Sequence, residues 1–246
     1  MIDHNSPIPY YVQVIDALKE RISQDEWQVG DQLPAEQELC AMYDVSRTVV
    51  RQALQSLTQE GLIVRRKGRG SYLAEPKIRE SLAERLTGFY EDMASQGYPP
   101  VSQVLKQQIV PASAKVASYL ELPAETSVLE IERLRFVQDE PLVLVTTYLP
   151  ASLCAELLSL DLTHQSLYAL LLDCCNVTIT HGRRLLQAVQ ANEYEANLLG
   201  VKKSFPLLML DSVSYMGGGT PVEYYHALHR SDRVHFEVNL LRAIKP

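Results

Sequence analysis

The sequence predicts an α+β protein of two domains: a small N-terminal head of three helices and a hairpin, then a larger domain built on an antiparallel sheet. Three observations carry this. Apolar residues recur at helical spacing through the first sixty positions. Beyond position 100, alternating strand-like runs separated by turn residues take over. Charge is also placed unevenly: residues 45–73 hold Arg47, Arg51, Arg65, Arg66, Lys67 and Arg69 against Glu60 alone, a local charge of +5 in a chain whose net charge is −7.

Composition bounds the function classes. Of 246 residues, 46% are apolar and 22% charged, enough apolar material for a sizeable core. A net charge of −7 excludes a polybasic coat protein but leaves room for a local basic patch. The longest apolar runs, such as 168–172 and 206–210, fall far short of the roughly 20 residues that span a bilayer. Asp3 and His4 open a polar N-terminus without the apolar core of a signal peptide, so no membrane partner and a cytoplasmic location are expected. The four cysteines include no CxxC pair and read as free thiols in a reducing compartment. Cys174-Cys175 with His181 matches no standard zinc spacing, and no HExxH motif is present. Neither a metal nor a cofactor is expected.

The head can be read element by element. Val14, Leu18 and Ile22 mark one face of a helix over 9–24, and Gly30, Asp31 and Pro34 punctuate its end. A short helix follows over 35–43, with Leu39 and Met42 expected to face inward. After Asp44-Val45, Ser46 is a good N-cap for a third helix. There Val50, Ala53, Leu54 and Leu57 form the apolar stripe, leaving Arg47, Thr48 and Arg51 on the exposed side. Gly61 suits the position just past that helix. Residues 62–64 and 71–73 read as short strands around the tip Lys67-Gly68-Arg69-Gly70.

Three helices and a basic hairpin form a winged helix-turn-helix, whose second helix of the pair enters a DNA major groove N-terminus first. Arginine suits guanine edges and phosphates because its guanidinium offers paired donors. The wing-tip glycines allow close backbone approach to a duplex, and Arg69 can reach a minor groove.

Residues 9–73 resemble the DNA-binding head of the GntR family of bacterial transcription regulators. The resemblance is carried by Gly30-Asp31-Gln32-Leu33-Pro34-Ala35-Glu36-Gln37-Glu38-Leu39, by Val45-Ser46-Arg47-Thr48-Val49-Val50-Arg51-Gln52-Ala53-Leu54, by Glu60-Gly61-Leu62-Ile63 and by Gly68-Arg69-Gly70-Ser71-Tyr72-Leu73. It implies that Glu36, Ser46, Arg47, Thr48, Arg51, Lys67, Gly68, Arg69 and Gly70 lie at the DNA. Ala35 stands where the family usually has a serine whose hydroxyl bonds a phosphate, so one phosphate contact per head is missing.

A polar connector over 74–81, with Pro76, leads into the second domain at 82–246. Strands are expected over 101–110, 127–137, 142–149, 177–191, 207–216, 221–230 and 234–242, the last finishing the antiparallel sheet. Helices are expected over 113–120, 152–158, 166–174 and 193–199. Asp139-Glu140-Pro141 and Gly217-Gly218-Gly219 read as turns. Hairpin connections dominate, so the class is α+β.

Three features of this domain are chemically unusual. Leu129, Ile131, Arg133 and Arg135 share one strand face, so two guanidiniums continue a row of aliphatics. If that face is buried, the arginines need an anion. The alternative is internal salt bridges to Glu130, Glu132 or Glu237, although parity turns the first two to the opposite face. Gln165-Ser166-Leu167-Tyr168 opens a helix whose free N–H groups suit phosphate or carboxylate, unless Ser166 is an ordinary cap. Glu223 can accept hydrogen bonds from hydroxyls, unless it only pairs across strands.

Residues 82–244 resemble the UTRA effector domain of the HutC-type branch of the GntR family, which has a chorismate-lyase-like fold. Leu86-Thr87-Gly88-Phe89-Tyr90-Glu91-Asp92-Met93, Glu132-Arg133-Leu134-Arg135, Glu140-Pro141, Ser166-Leu167-Tyr168 and Pro221-Val222-Glu223 carry it. The resemblance implies a pocket for a small anionic metabolite such as a phosphosugar or carboxylate, formed by Arg133, Arg135, Ser166, Tyr168, Glu223 and Arg230 with the backbone near Phe89. His229-Arg230 stands where relatives often have Tyr-Arg. The expected function is a homodimeric, ligand-responsive repressor that binds an inverted-repeat operator in double-stranded DNA, with half-sites roughly 34 Å apart. The alternative is an enzyme of chorismate-lyase-like fold acting on a small anion. Ser166, however, lacks the glycines of a nucleophile elbow, and a fold alone does not fix an activity.

Overall fold

In the computed structural model, residues 2–81 and 89–238 are described. Leu86-Thr87-Gly88 and positions 239–242 of the expected last strand lie outside them. The chain divides into two compact units, one of residues 1–78 with 231–233, the other of residues 79–230 with 234–246.

The first unit contains α1 (Tyr10–Ser23), α2 (Glu36–Tyr43), α3 (Arg47–Gln59), β1 (Ile63–Arg66) and β2 (Gly70–Leu73). Val14 and Leu18 of α1, Leu39 of α2, and Val50, Leu54 and Leu57 of α3 meet in one core. Ser46 caps α3 through Val49 N–H, and Glu38 of α2 folds back onto Ala35 N–H at 2.7 Å. β1 and β2 pair in antiparallel register from Ile63↔Leu73 to Arg66↔Gly70. Gly61 ends α3 at φ +75°, and Gly70 enters β2 at φ +111°, conformations that disfavour other residues.

One inward assignment is corrected. Met42 is 48% exposed, and its Sδ accepts a hydrogen bond from Arg21. Tyr43 takes the inward place. Leu39 and Tyr43 are spaced i, i+4, and that line, rather than the i, i+3 line to Met42, faces α1 and α3.

The second unit is a six-stranded antiparallel sheet. β3 (Ile78–Ser81) and β10 (Val234–Glu237) form a separate pair. Between them run β4 (Val101–Pro111), β5 (Ser127–Val137), β6 (Glu140–Pro150), β7 (Ile179–Gln190), β8 (Pro206–Met216) and β9 (Pro221–Arg230), in the order β4-β5-β6-β9-β8-β7. α6 (Ala151–Cys154), a 3₁₀ turn (Ala155–Ser159) and α7 (Leu167–Cys175) cover one face, packing on Leu129, Ile131 and Leu149. α5 (Ala114–Leu120) and α8 (Glu193–Leu199) cover the other. A short α4 (Phe89–Ser95) precedes β4.

Two expectations change here. The β5–β6 turn is Gln138-Asp139, both at positive φ, with Val137 already paired to Glu140. A two-residue turn of this hand matches strand twist, so Glu140 and Pro141 belong to the strand. The last strand does not join the main sheet. β9 already has β6 and β8 on its two sides, so β10 pairs instead with β3, a strand inside the stretch read as a polar connector.

The head core yields a contrast to measure. Leu39→Ala removes a fully buried side chain and is expected to cost about 2–5 kcal/mol. Met42→Ala is expected to cost about 0.5 kcal/mol or less. Urea unfolding of the two variants checks both; equal losses would place Met42 in the core.

Candidate functional site

The basic residues of α3 and the wing are exposed. Arg47, Thr48 and Arg51 stand on the outer side of α3, and Arg65, Arg66, Lys67 and Arg69 continue along the wing. Glu36, the first residue of α2, joins them. Its Oε2 accepts from Arg51 Nε at 2.9 Å and its Oε1 from Arg65 Nη2 at 2.7 Å. Burial alone pushes the Glu36 carboxyl up, but the two guanidiniums outweigh it and hold the carboxyl below its usual range. Arg51 meets Glu36 through its Nε, and its side chain is otherwise largely exposed. Ser46 is exposed and occupied as the cap of α3. At the wing tip, Gln32 Nε2 and the Tyr72 hydroxyl both donate to Arg69 O, fixing the loop that carries Gly68 and Gly70. Arg66 lies over the Tyr72 ring at 4.5 Å.

The second unit holds a recess of about 690 Å³ including its open mouth, lined by β5, β8 and β9, the start of α7, and α4. Arg133 and Arg135 sit on its floor at 1% and 6% exposure. Arg133 Nε and Nη2 and Arg135 Nε are buried without hydrogen-bond partners among the described residues. Burial first, and then the neighbouring Arg135, pull the Arg133 guanidinium down to about 9, with Glu223 opposing. Two of the three proposed internal partners are committed elsewhere: Glu130 binds Gln108 and Tyr148, and Glu132 binds Lys106 and Tyr194, all on the opposite face.

Ser166 caps α7, its Oγ accepting from Ala169 N–H at 3.2 Å, and it still lines the recess. Tyr168 donates to Glu223 Oε2 at 2.8 Å, and Ser214 donates to the same oxygen at 2.7 Å. Burial first, and then Glu223, push the Tyr168 phenol well above its usual value, so it stays a donor. Phe89 stacks under Arg135, its ring 4.7 Å from the guanidinium carbon.

Arg230 is placed differently from the expectation. It alternates away from Glu223, Tyr225, Ala227 and His229, and its guanidinium pairs with Glu140 at 2.8 Å outside the recess lining. The recess also contains Glu91, Ser102, Arg184, Ser212 and Tyr225, none of which the sequence assigned to the pocket. Ser212, Ser214 and Arg184 become visible only through register: Tyr225↔Ser212, Glu223↔Ser214 and Arg184↔Ser212. Period-2 alternation read from Arg133 across those pairings finds them.

A model of the bacterial regulatory proteins of the gntR family matches residues 10–73, and a UTRA domain model matches residues 95–235. The HTH-type transcriptional repressor NagR of Bacillus subtilis is 34% identical over 237 residues, 96% of each chain. The chain belongs to the GntR family.

Among other GntR relatives, the probable fructoselysine utilization operon transcriptional repressor of Escherichia coli is 25% identical over 224 residues, covering 91% of each chain. The crystal structure of PhnF from Mycobacterium smegmatis aligns at a TM-score of 0.66 and 29% identity, covering 94% of this chain and all of that one. This GntR protein is thus a DNA-binding transcription regulator with a winged helix-turn-helix head, a UTRA domain and relatives that are repressors. Among the described residues, no helix is long and apolar enough to cross a membrane.

The orphaned guanidinium sets a stability expectation. Arg133→Met removes a buried charge whose Nε and Nη2 lack partners while keeping apolar volume, so the ligand-free protein is expected to melt at the same temperature or higher. Thermal unfolding checks this. A drop of several degrees would mean that Arg133 is held by structural ion pairs.

Proposed function

We propose that this protein is a cytoplasmic, homodimeric repressor whose hold on its operator is set by a small anionic metabolite. The observation that carries the reading is the pair of buried guanidiniums, Arg133 and Arg135, with nitrogens that have no partner among the described residues, lining one recess. A bound phosphate or carboxylate supplies the missing acceptors in paired geometry. Ser166 at the start of α7 adds a hydroxyl and the helix's free N–H groups beside them.

At the DNA, Arg51 reads a base edge with the fork that Glu36 leaves open, and Arg47 does the same one turn earlier on α3. Ser46, Thr48, Lys67, Arg69 and the backbone at Gly68 and Gly70 hold phosphates and the minor groove. One head covers too little duplex to select a genomic site, so two heads on a symmetric dimer read an inverted repeat. The UTRA domain supplies the dimer contact and the effector site. Effector and operator are coupled because the metabolite binds one arrangement of the heads better than the other. The enzyme alternative has no comparable support: Ser166 is a helix cap, and the relatives compared above are regulators.

Two measurements test the reading. Arg51→Ala is expected to cost about 1–3 kcal/mol in operator affinity and to relax preference at one position of each half-site, as read by footprinting on the native promoter. Unchanged affinity and preference would remove Arg51 from readout. Arg133→Met is expected to bind the operator like the parent protein while losing its response to the effector; a retained response in the folded variant would take the arginine out of the pocket.

A further inference from the structure

We infer that the recess takes a bipolar metabolite, one that carries a protonated amine as well as its anion. The inference rests on the anionic-effector reading above and narrows it.

The recess does not carry charge of one sign. Three guanidiniums, those of Arg133, Arg135 and Arg184, share its lining with three carboxylates, those of Glu91, Asp92 and Glu223. Its formal charge is therefore balanced. Arg133 and Arg135 are nonetheless not ion-paired to Glu91 or Glu223 among the described residues. Glu223 is 1% exposed and is held by two hydroxyls, from Tyr168 and Ser214, both on a single oxygen. Glu91 Oε2, on α4, is buried with no hydrogen-bond partner among the described residues. The same recess thus buries unpartnered donors on β5 and an unpartnered acceptor on α4.

A plain anion answers only half of this. It completes Arg133 and Arg135, but it leaves Glu91 Oε2 desolvated and unsatisfied, and it adds negative charge to a recess that already holds three carboxylates. A hydroxyl on the ligand supplies Glu91 with a donor but no opposite charge. An ammonium supplies both, and charge-assisted hydrogen bonds are the stronger kind. The fitting class is a small primary amine bearing a phosphate or carboxylate. Its anion lies against Arg133 and Arg135, and its amine is turned toward Glu91 and Glu223.

Titration calorimetry of the full chain with three small phosphates tests this. Ethyl phosphate carries the anion alone, glycerol 1-phosphate adds hydroxyls, and O-phosphoethanolamine adds an ammonium. O-phosphoethanolamine is expected to bind at least about tenfold tighter than either of the others. E91Q is expected to erase that advantage while leaving ethyl phosphate bound as well as before or better. If ethyl phosphate or glycerol 1-phosphate binds as tightly as O-phosphoethanolamine, the bipolar inference falls and the anion reading stands. If none of the three binds at millimolar concentration, the anion reading falls and takes the inference with it. Should E91Q fail to fold, the ranking of the three phosphates on the parent protein still decides.

Discussion

Burying two guanidiniums on an aliphatic strand face is the constraint around which the UTRA domain is arranged. Arg133 and Arg135 continue the row begun by Leu129 and Ile131, yet the two aliphatics pack under α6 and α7 while the arginines open onto a recess. Leaving donors unpartnered in a protein interior is unfavourable. The strand tolerates it because ten neighbouring residues of β5, from Val128 to Val137, are paired with β6 in an antiparallel ladder interrupted by one register shift, between Arg135 and Phe136. Stability lost at the site is thereby supplied by the sheet, the usual relation between a preformed binding site and its scaffold.

The carboxylates show how such a recess acquires selectivity. Glu223 is fixed from two elements at once, by Tyr168 on α7 and by its cross-strand partner Ser214 on β8. Because Tyr168 remains protonated, this network stays a donor–acceptor pair rather than two competing anions. Charge of both signs, each held apart from the other by the scaffold, discriminates between ligands by the arrangement of their own charges.

In the head the same principle serves a different partner. Glu36 bridges Arg51 of α3 and Arg65 of β1, so one carboxylate ties the recognition helix to the wing. Exposed pairs of this kind add little stability. Their effect is on geometry: a long side chain held by its Nε edge loses fewer conformations when its fork meets a base. The tip of the wing is treated alike, with Arg69 O accepting from both Gln32 and Tyr72.

Much of this was legible in the linear chain. The spacing of Val50, Ala53, Leu54 and Leu57, the Ser46 cap and Gly61 locate α3, because helix period and cap chemistry are local properties. The parity of Arg133 and Arg135 with Leu129 and Ile131 places them on the buried face for the same reason. What local pattern does not contain is which strand lies beside which. Met42 and Tyr43 compete for one core position, and only packing against α1 and α3 decides for Tyr43. β10 looks like one more sheet strand until β6 and β8 occupy both sides of β9. Arg230 sits seven residues after Glu223, an odd spacing that turns it to Glu140. Ser212, Arg184 and Glu91 reach the recess, and Ser214 reaches Glu223 behind it, through pairings and helix placement made across tens of residues. The sequence by itself determined the two domains, the basic helix and wing, and the paired arginines, since each is written in short-range periodicity and charge. Only the tertiary structure decided what surrounds those arginines, because register and packing bring together groups that no local pattern links.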